Sequence, residues 1–226
     1  MLTRFKPLVR YLLLFLVMGY VTQWMGINLY LTGIGQKQKL LTEIKESPLI
    51  TLIQSKTGLL LSSFRIIASP RPYAVMIGIP NKPFMMLSSQ LNQDFTDSEK
   101  EYVVLHETGH YQLHHTIKEL IFFITFFIIS CFIVRKLPLY IIPIIGIALG
   151  LFNIQYAMRS EYEADRFAVS HITDPKGMIT VTEKFRNAHF PPLDDYSPLW
   201  PVLYRSTPYH VRIEMANKEI ERRSKN

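Results

Sequence analysis

The chain has 226 residues, of which 48% are hydrophobic and 19% charged, and this composition excludes a disordered or low-complexity protein. A single cysteine, Cys131, excludes an internal disulfide and a cysteine-rich zinc module. The net charge of +7 fits either nucleic acid or anionic lipid headgroups as the partner, so the position of the apolar residues has to decide between them.

The first apolar stretch is Tyr11–Ile34, which contains no charged residue. As a helix it would be about 36 Å long, and that length is enough to cross a lipid bilayer. A cleavable signal peptide is the alternative, but the apolar run is long for one and no small-x-small cleavage site follows it. We therefore predict an N-terminal transmembrane anchor over residues 1–34.

A polar block over residues 35–118 follows, and we predict that it is the first half of the functional domain. Residues 36–57 are expected to form an amphipathic helix, and residues 58–69 contain a strand-like run. Residues 72–88 hold two β-rich runs on either side of the sequence Ile-Pro-Asn-Lys-Pro, and this arrangement predicts a β-hairpin.

A helix start is predicted at Thr96, because Glu99 three residues later completes the pattern of a capping box. This helix carries an H-E-x-x-H motif that runs from His106 to His110. Residues four apart lie on one face of a helix, so both imidazoles can bind one zinc ion. Glu107 is turned to the side of the metal, where it can take a proton from zinc-bound water.

Two further apolar stretches, Leu120–Val134 and Leu137–Ala157, are separated only by Arg135 and Lys136. This pattern predicts a transmembrane helical hairpin over residues 119–157. The alternative is a hairpin buried in a soluble core, but a domain of this size could hardly bury so long an apolar run. Together with the N-terminal anchor, the sequence therefore predicts about three transmembrane helices in a multi-pass protein of the cell membrane.

The charges leave open which side of the membrane holds the polar blocks. Basic residues before the first stretch and between the second and third favour cytoplasmic ends and an extracytoplasmic active site. Lysines and an arginine flank the stretches on the other side in nearly equal number. The charges do not gather on a groove-binding helix, so we predict lipid and not nucleic acid as a partner. The sequence does not indicate an oligomeric state.

The second half of the predicted domain covers residues 158–226. A helix is expected to continue from the third apolar stretch into this block, and a second, amphipathic helix is expected over residues 177–188. Residues 190–206 are rich in proline and aromatic residues and are expected to form a loop. The Thr207-Pro208 pair would then cap a last helix that ends in a basic tail.

A catalytic zinc ion needs a third protein ligand beside the two histidines. Glu161 and Asp165 lie on one face of the expected helix, so Glu161 could bind zinc while Asp165 accepts a hydrogen bond from a ligand histidine. Glu163 points to another side of that helix. His114 and His115 stay open as alternative ligands or as side chains near the lipid headgroups.

The two motifs, HETGH and EYEADRFA with a hydrophobic hairpin between them, resemble those of the M48 metallopeptidases, the group of the HtpX-like and CAAX prenyl proteases. The resemblance covers roughly residues 70–215. It implies a zincin-like α+β fold that is mostly α, with a small β-hairpin or sheet beside the H-E-x-x-H helix. It also implies one zinc ion per chain, bound by His106, His110 and Glu161. In the same comparison, Glu107 is the catalytic base, and Asp165 accepts a hydrogen bond from a ligand histidine.

Other parts of the resemblance are looser. The strand pair before the motif helix makes Tyr73 and Ala74 candidates for contact with substrate on an edge strand, with an ordinary core hairpin as the alternative. A late stretch of the chain makes His210 and Arg212 candidates for contact with the transition state, although Thr207 stands where the family has a histidine. The family analogy favours a cytoplasmic active site, but one predicted span precedes the zinc domain here where HtpX-like members have two.

The expected function is therefore a membrane-embedded zinc-dependent endopeptidase that hydrolyses peptide bonds of membrane-associated proteins or peptides. A sensor protease similar to the M56 group is one alternative, but that group typically carries a cysteine where this chain has Ala164. A non-catalytic, membrane-anchored zinc-binding protein is the other alternative, and such a protein would have no use for the base Glu107.

Overall fold

The structure is a computed structural model, and it describes residues 40–69, 71–77, 83–134, 136–138, 140–188, 195–198, 200 and 204–225. The predicted anchor over residues 1–34 lies outside them, and the predicted domain boundaries stay a prediction. The described part is mostly helical with one small mixed sheet, which confirms the predicted α+β class. Its strands are β1 (Leu40–Ile44), β2 (Phe64–Ile67), β3 (Ala74–Ile77) and β4 (Phe84–Ser88), and its helices are α1 (Pro48–Thr57), α2 (Ser89–Asp94), α3 (Asp97–Gln112), α4 (His115–Val134), α5 (Ile141–His171), α6 (Lys176–Ala188) and α7 (Tyr209–Ser224).

The sheet has the strand order β1-β2-β4-β3. β3 and β4 pair antiparallel, with Ala74 opposite Leu87, so the predicted β-hairpin is confirmed. β2 pairs parallel with β4, and β1 pairs antiparallel with β2. In the described part of the chain, β3 therefore forms one edge of the sheet, and it is the edge that faces α3.

The predicted helix over residues 36–57 is wrong in its first part, because residues 40–44 form β1. The helix α1 begins only after Ser47, whose side chain accepts a hydrogen bond from the backbone N–H of Ile50. Pro48 at the first helical position fixes the same boundary, since proline cannot continue a helix that starts before it. These local signals and pairing with β2 outweigh the apolar periodicity that favoured a longer helix.

The helix α3 begins where the sequence predicts. The Thr96 side chain accepts from the backbone N–H of Glu99, and the Glu99 carboxylate accepts from the backbone N–H of Thr96, which confirms the capping box. The helix packs closely against α5 at Gly109, because a Cβ atom added there would lie 3.1 Å from Cβ of Phe167 and 3.2 Å from Cα of Ala164. Gly109 thus lets the motif helix approach the helix that carries the second motif.

The hydrophobic core lies between the sheet and the helices α3, α5 and α6. Met85 of β4, Leu105 of α3, Ala168 of α5 and Val181 of α6 are each fully buried in it. These residues hold the motif helix between the sheet on one side and α5 on the other. The last helix, α7, begins after Pro208 as predicted, but the side chain of Thr207 does not cap it.

The second and third apolar stretches of the sequence form the helices α4 and α5, which pack together as a hairpin, with the ring of Phe122 stacked on those of Phe152 and Tyr156. Across residues 40–225, with the gaps given above, no helix is both long and apolar enough to cross a membrane. The two crossings predicted at 120–134 and 137–157 therefore find no support in these residues, and the crossing predicted at 11–34 lies outside them.

An ion pair between α1 and α3 fixes the start of the motif helix against the end of α5. The Nζ atom of Lys56 lies 2.6 Å from Oε1 of the buried Glu101, which also accepts hydrogen bonds from the backbone N–H and hydroxyl of Thr173. Replacing Lys56 by methionine leaves the buried carboxylate without its cation, at a cost of about 3 kcal/mol.

We expect the Lys56→Met protein to unfold about 6 °C below the wild type in detergent. The matched control is Lys176→Met, which removes an exposed lysine from α6. Equal unfolding temperatures for the two variants would contradict this account of the ion pair.

Candidate metal centre

The motif helix α3 brings its two histidines together on one face. The Nε2 atoms of His106 and His110 lie 3.1 Å apart, a distance that their spacing of one helical turn allows. Glu161 comes from α5, which crosses beside them. Its two carboxylate oxygens lie 3.4 Å from Nε2 of His106 and 3.3 Å from Nε2 of His110.

These three side chains form the group in the described residues that could hold a metal ion, since one donor atom from each lies within 4.8 Å of the others. Two imidazole nitrogens and one carboxylate oxygen are a known donor set of catalytic zinc sites. Zinc bonds of about 2.0–2.1 Å at tetrahedral angles place the ligand atoms roughly 3.3 Å apart. The observed separations of 3.1 to 3.4 Å match this value, so the residues present fit a zinc ion.

Asp165 lies one turn after Glu161 on α5 and is fully buried behind His106. One of its oxygens lies 2.8 Å from Nδ1 of His106 and accepts a hydrogen bond of 2.6 Å from the hydroxyl of Tyr102. The other oxygen accepts a hydrogen bond of 2.9 Å from Nε of Arg212. The carboxylate thus holds the ring of His106 with its Nε2 atom toward Glu161, as expected for a residue that orients a metal ligand.

The electrostatics of the group favour a bound positive charge. Burial alone would lower the pKa of His106, but the charge and hydrogen bond of Asp165, together with Glu161, raise that pKa to about 10. Burial alone would raise the pKa of Asp165, but Arg212 and His106 hold it at about 2. The pKa of Glu161 is likewise held well below its usual value, against the effect of burial, by the two histidines. Both carboxylates are therefore anionic near neutral pH.

Glu107 lies beside the metal-binding group and not in it. It lines the same cavity as His106 and Glu161, and its carboxylate accepts a hydrogen bond from the backbone N–H of Met76 in β3. Burial raises the pKa of Glu107, against the lowering effect of the neighbouring His106 and His110. A carboxylate with a raised pKa is better suited to accept and return a proton than an ordinary surface glutamate.

The cavity beside these residues has a volume of about 270 Å³. Tyr73, just before β3, and Ala74, its first residue, line the cavity, so the structure brings both predicted substrate contacts to the site. Sequence reasoning missed several other lining residues. Tyr102 and Val103 could have been found, because they lie about one turn before His106 on the same helix. The remaining ones approach from distant parts of the chain and are Phe185, Ser206 and Tyr209.

The two late candidates are placed differently from each other. Arg212 lines the cavity, but it donates to Asp165 and to Oε2 of Glu161 at 3.3 Å. His210 is not among the residues that line the cavity. Its backbone and ring nitrogens contact Asp195, and its ring stacks on Tyr196 at 4.2 Å. The geometry thus favours a positioning role for Arg212 and gives no support to a transition-state contact by His210.

His114 and His115 follow the motif helix and do not belong to the metal-binding group. His114 is exposed and has a left-handed backbone conformation, with φ of 56°. His115 is buried, with 5% of its surface exposed. Its Nδ1 atom lies 3.0 Å from Nδ1 of His110, and its Nε2 atom lies 3.2 Å from Glu163.

Residues 45–220 match the family model described as Peptidase family M48. Among curated protein sequences, none matches the chain. Among solved structures, the crystal structure of S. mikatae Ste24p is similar to this chain, with a TM-score of 0.60 and 17% identical residues. The similarity covers 91% of this chain and 57% of that one, so the chain spans little more than half the length of this structural relative. At this level of identity the likeness concerns the fold.

Proposed function

Because this chain belongs to peptidase family M48, we propose that it is a zinc-dependent endopeptidase that acts on membrane-associated proteins or peptides. One observation carries the proposal. Two histidines and a glutamate lie together with zinc-compatible spacing, and a second glutamate with a raised pKa lines the same cavity as His106 and Glu161. A structural metal site needs the first three residues but has no use for the fourth.

We propose His106, His110 and Glu161 as the ligands of one zinc ion per chain. When bound, zinc supplies Lewis acidity that polarises a peptide carbonyl and lowers the pKa of water. Glu107 would accept the proton of the attacking water and then pass it to the amine that leaves. The hydrogen bond from Met76 holds the Glu107 carboxylate toward the cavity during both transfers.

The substrate is proposed to lie extended along β3. Among the described residues this strand is the edge of the sheet beside α3, and Tyr73, just before it, and Ala74, its first residue, line the cavity. An extended peptide can add to such an edge through backbone hydrogen bonds. Backbone pairing of this kind would present a peptide bond to Glu107 whatever the side chains of the substrate are. Any preference for particular substrate residues would then come from contacts with the aromatic residues of the cavity wall.

We further propose that the α4–α5 hairpin lies in the apolar phase of a membrane. Apolar side chains are exposed along both helices, and a soluble protein rarely leaves so many large ones on one surface. Each of these side chains has at least about 40% of its surface exposed. The exposed residues are Ile117, Leu120, Ile121, Ile124, Ile128, Ile129 and Phe132 of α4 and Ile144, Ile147, Leu151 and Phe152 of α5. The motif helix ends just before α4, so the active site would lie close to the membrane surface.

This membrane contact can be tested with nitroxide labels at Ile124 and Ile147, introduced as cysteines in a Cys131→Ser background. In lipid vesicles, we expect both labels to be more accessible to oxygen than to a water-soluble nickel complex. A label at Leu60, an equally exposed apolar residue outside the hairpin, is the matched control and should show the reverse. Water-like accessibility at Ile124 and Ile147 would overturn the proposed contact.

The activity itself is tested by removal and return of the metal. Wild-type protein purified in detergent should contain about one zinc ion per chain, as the three-ligand site predicts. Hydrolysis of internally quenched peptides should stop after treatment with a chelator and return when zinc is added. A zinc-loaded protein that cleaves no member of a broad peptide library would instead indicate a non-catalytic binding protein.

A further inference from the structure

We propose that His115 is a positioning residue for the metal ligand His110, and that it works by accepting a hydrogen bond from Nδ1 of His110. The two Nδ1 atoms lie 3.0 Å apart, and His115 is buried. The inference rests on the proposed function, because it requires that His110 binds a metal.

The roles of the nitrogen atoms follow from the direction of the metal site. Nε2 of His110 faces Nε2 of His106 and the carboxylate of Glu161, so this atom is the one available to a metal. A neutral histidine that binds a metal through Nε2 carries its proton on Nδ1. That proton points to Nδ1 of His115, which must then be the acceptor. His115 in turn carries its proton on Nε2, which lies 3.2 Å from a carboxylate oxygen of Glu163.

This pattern gives every nitrogen of the two rings a matching partner. The series of hydrogen bonds ends on α5, where the second oxygen of Glu163 accepts a hydrogen bond of 3.0 Å from Nε of Arg159. Each metal-binding histidine of α3 is thereby connected to a carboxylate of α5. Asp165 reaches His106 directly, and Glu163 reaches His110 through His115. Partners of this kind fix the ring orientation and tautomer of a metal ligand.

The backbone between α3 and α4 explains how His115 reaches His110. In an unbroken helix, residues five apart point about 140° away from each other, so they could not meet. The motif helix instead ends at Gln112, and His114 takes a left-handed conformation with φ of 56°. Only after this break does α4 begin, with His115 as its first residue. A non-glycine residue in this conformation is uncommon, and here it returns the next side chain to the metal ligand.

Two substitutions of similar shape separate the hydrogen bond from the packing. His115→Asn keeps an acceptor oxygen near the place of Nδ1, whereas His115→Leu fills a similar volume without an acceptor. We expect His115→Leu to bind zinc about 10- to 100-fold more weakly than wild type in competition with a chromophoric chelator. His115→Asn should recover most of that loss. His114→Asn, which suits the left-handed backbone, should bind zinc like the wild type and is the control.

Two readouts besides affinity complete the test. The unfolding temperature of the metal-free protein should be similar for the leucine and asparagine variants, so that a difference in zinc affinity reports the hydrogen bond. A long-range ¹H–¹⁵N spectrum of the zinc-loaded wild type should show protons on Nδ1 of His110 and Nε2 of His115. Equal zinc affinity of wild type and His115→Leu, equal weakening by leucine and asparagine, or the opposite tautomers would each overturn the inference. Absence of zinc binding by the wild type would overturn the proposed function instead.

Discussion

The Glu107→Gln protein is expected to bind zinc like the wild type and to hydrolyse peptides at least about 1,000-fold more slowly. Glutamine has the shape of the glutamate but cannot accept and return the proton of the attacking water. Because Glu107 lies beside the three metal-binding side chains and is not one of them, the substitution leaves the ligand atoms in place. Loss of hydrolysis with full zinc content is therefore the result that identifies a catalytic base.

The measurement combines elemental analysis of zinc with the initial rate of cleavage of a quenched peptide. Glu183→Gln, which makes the same chemical change at an exposed position of α6, is the matched control and should keep both values. Retained hydrolysis by the Glu107→Gln protein would exclude the mechanism. Loss of zinc together with hydrolysis would show that Glu107 supports the metal and would leave its role as a base unproven.

The Glu161→Ala protein is expected to lose its zinc on purification. The substitution removes one of three proposed ligands, and the two remaining histidines form only a two-point chelate on one helical turn. It also removes an acceptor of the buried Arg212. The zinc affinity should fall by more than the roughly 10- to 100-fold that is typical when a residue hydrogen-bonded to a ligand is changed.

Comparing the zinc affinity of wild type, Asp165→Asn and Glu161→Ala tests the proposed third ligand more sharply. Asp165→Asn keeps all three proposed ligands but alters the partner of His106, so its zinc affinity should fall between those of wild type and Glu161→Ala. Competition with chelators of known affinity orders the three proteins. Full zinc retention in Glu161→Ala would mean that the third ligand is wrong, and attention would turn to other side chains near His110.

Periodicity within single helices predicted the part of the site that depends on local geometry. The spacing of His106 and His110 requires only one helical turn, and the capping box at Thr96 predicted where that helix begins. The spacing of Glu161 and Asp165 likewise requires only that they share one helix, which α5 provides. Each of these predictions uses positions close in the chain, where backbone geometry alone determines which side chains are neighbours.

The remaining features depend on contacts between distant segments. Residues 40–44 form a strand because they pair with β2, and no pattern within those residues indicates this pairing. The role of His115 depends on a left-handed residue at His114, which the sequence does not mark with glycine. Arg212 was expected at the transition state because of its place in a late motif. Its contacts with Asp165 and Glu161 follow from how α7 packs against α5.

The division of the proposed ligands between α3 and α5 would link metal binding to folding. His106 and His110 are neighbours in any helical turn, but Glu161 joins them only when the intervening segment of about fifty residues has closed. Of the three proposed ligands, an unfolded chain would therefore offer a metal only the two histidines together, and the native chain would offer all three. By mass action, a metal at 100 times its dissociation constant that bound only the native state would stabilise it by about 2.7 kcal/mol, and binding to the two histidines of the unfolded chain would reduce that value. With the proposed ligands, the supply of metal in the cell would then influence how much of this protein stays folded.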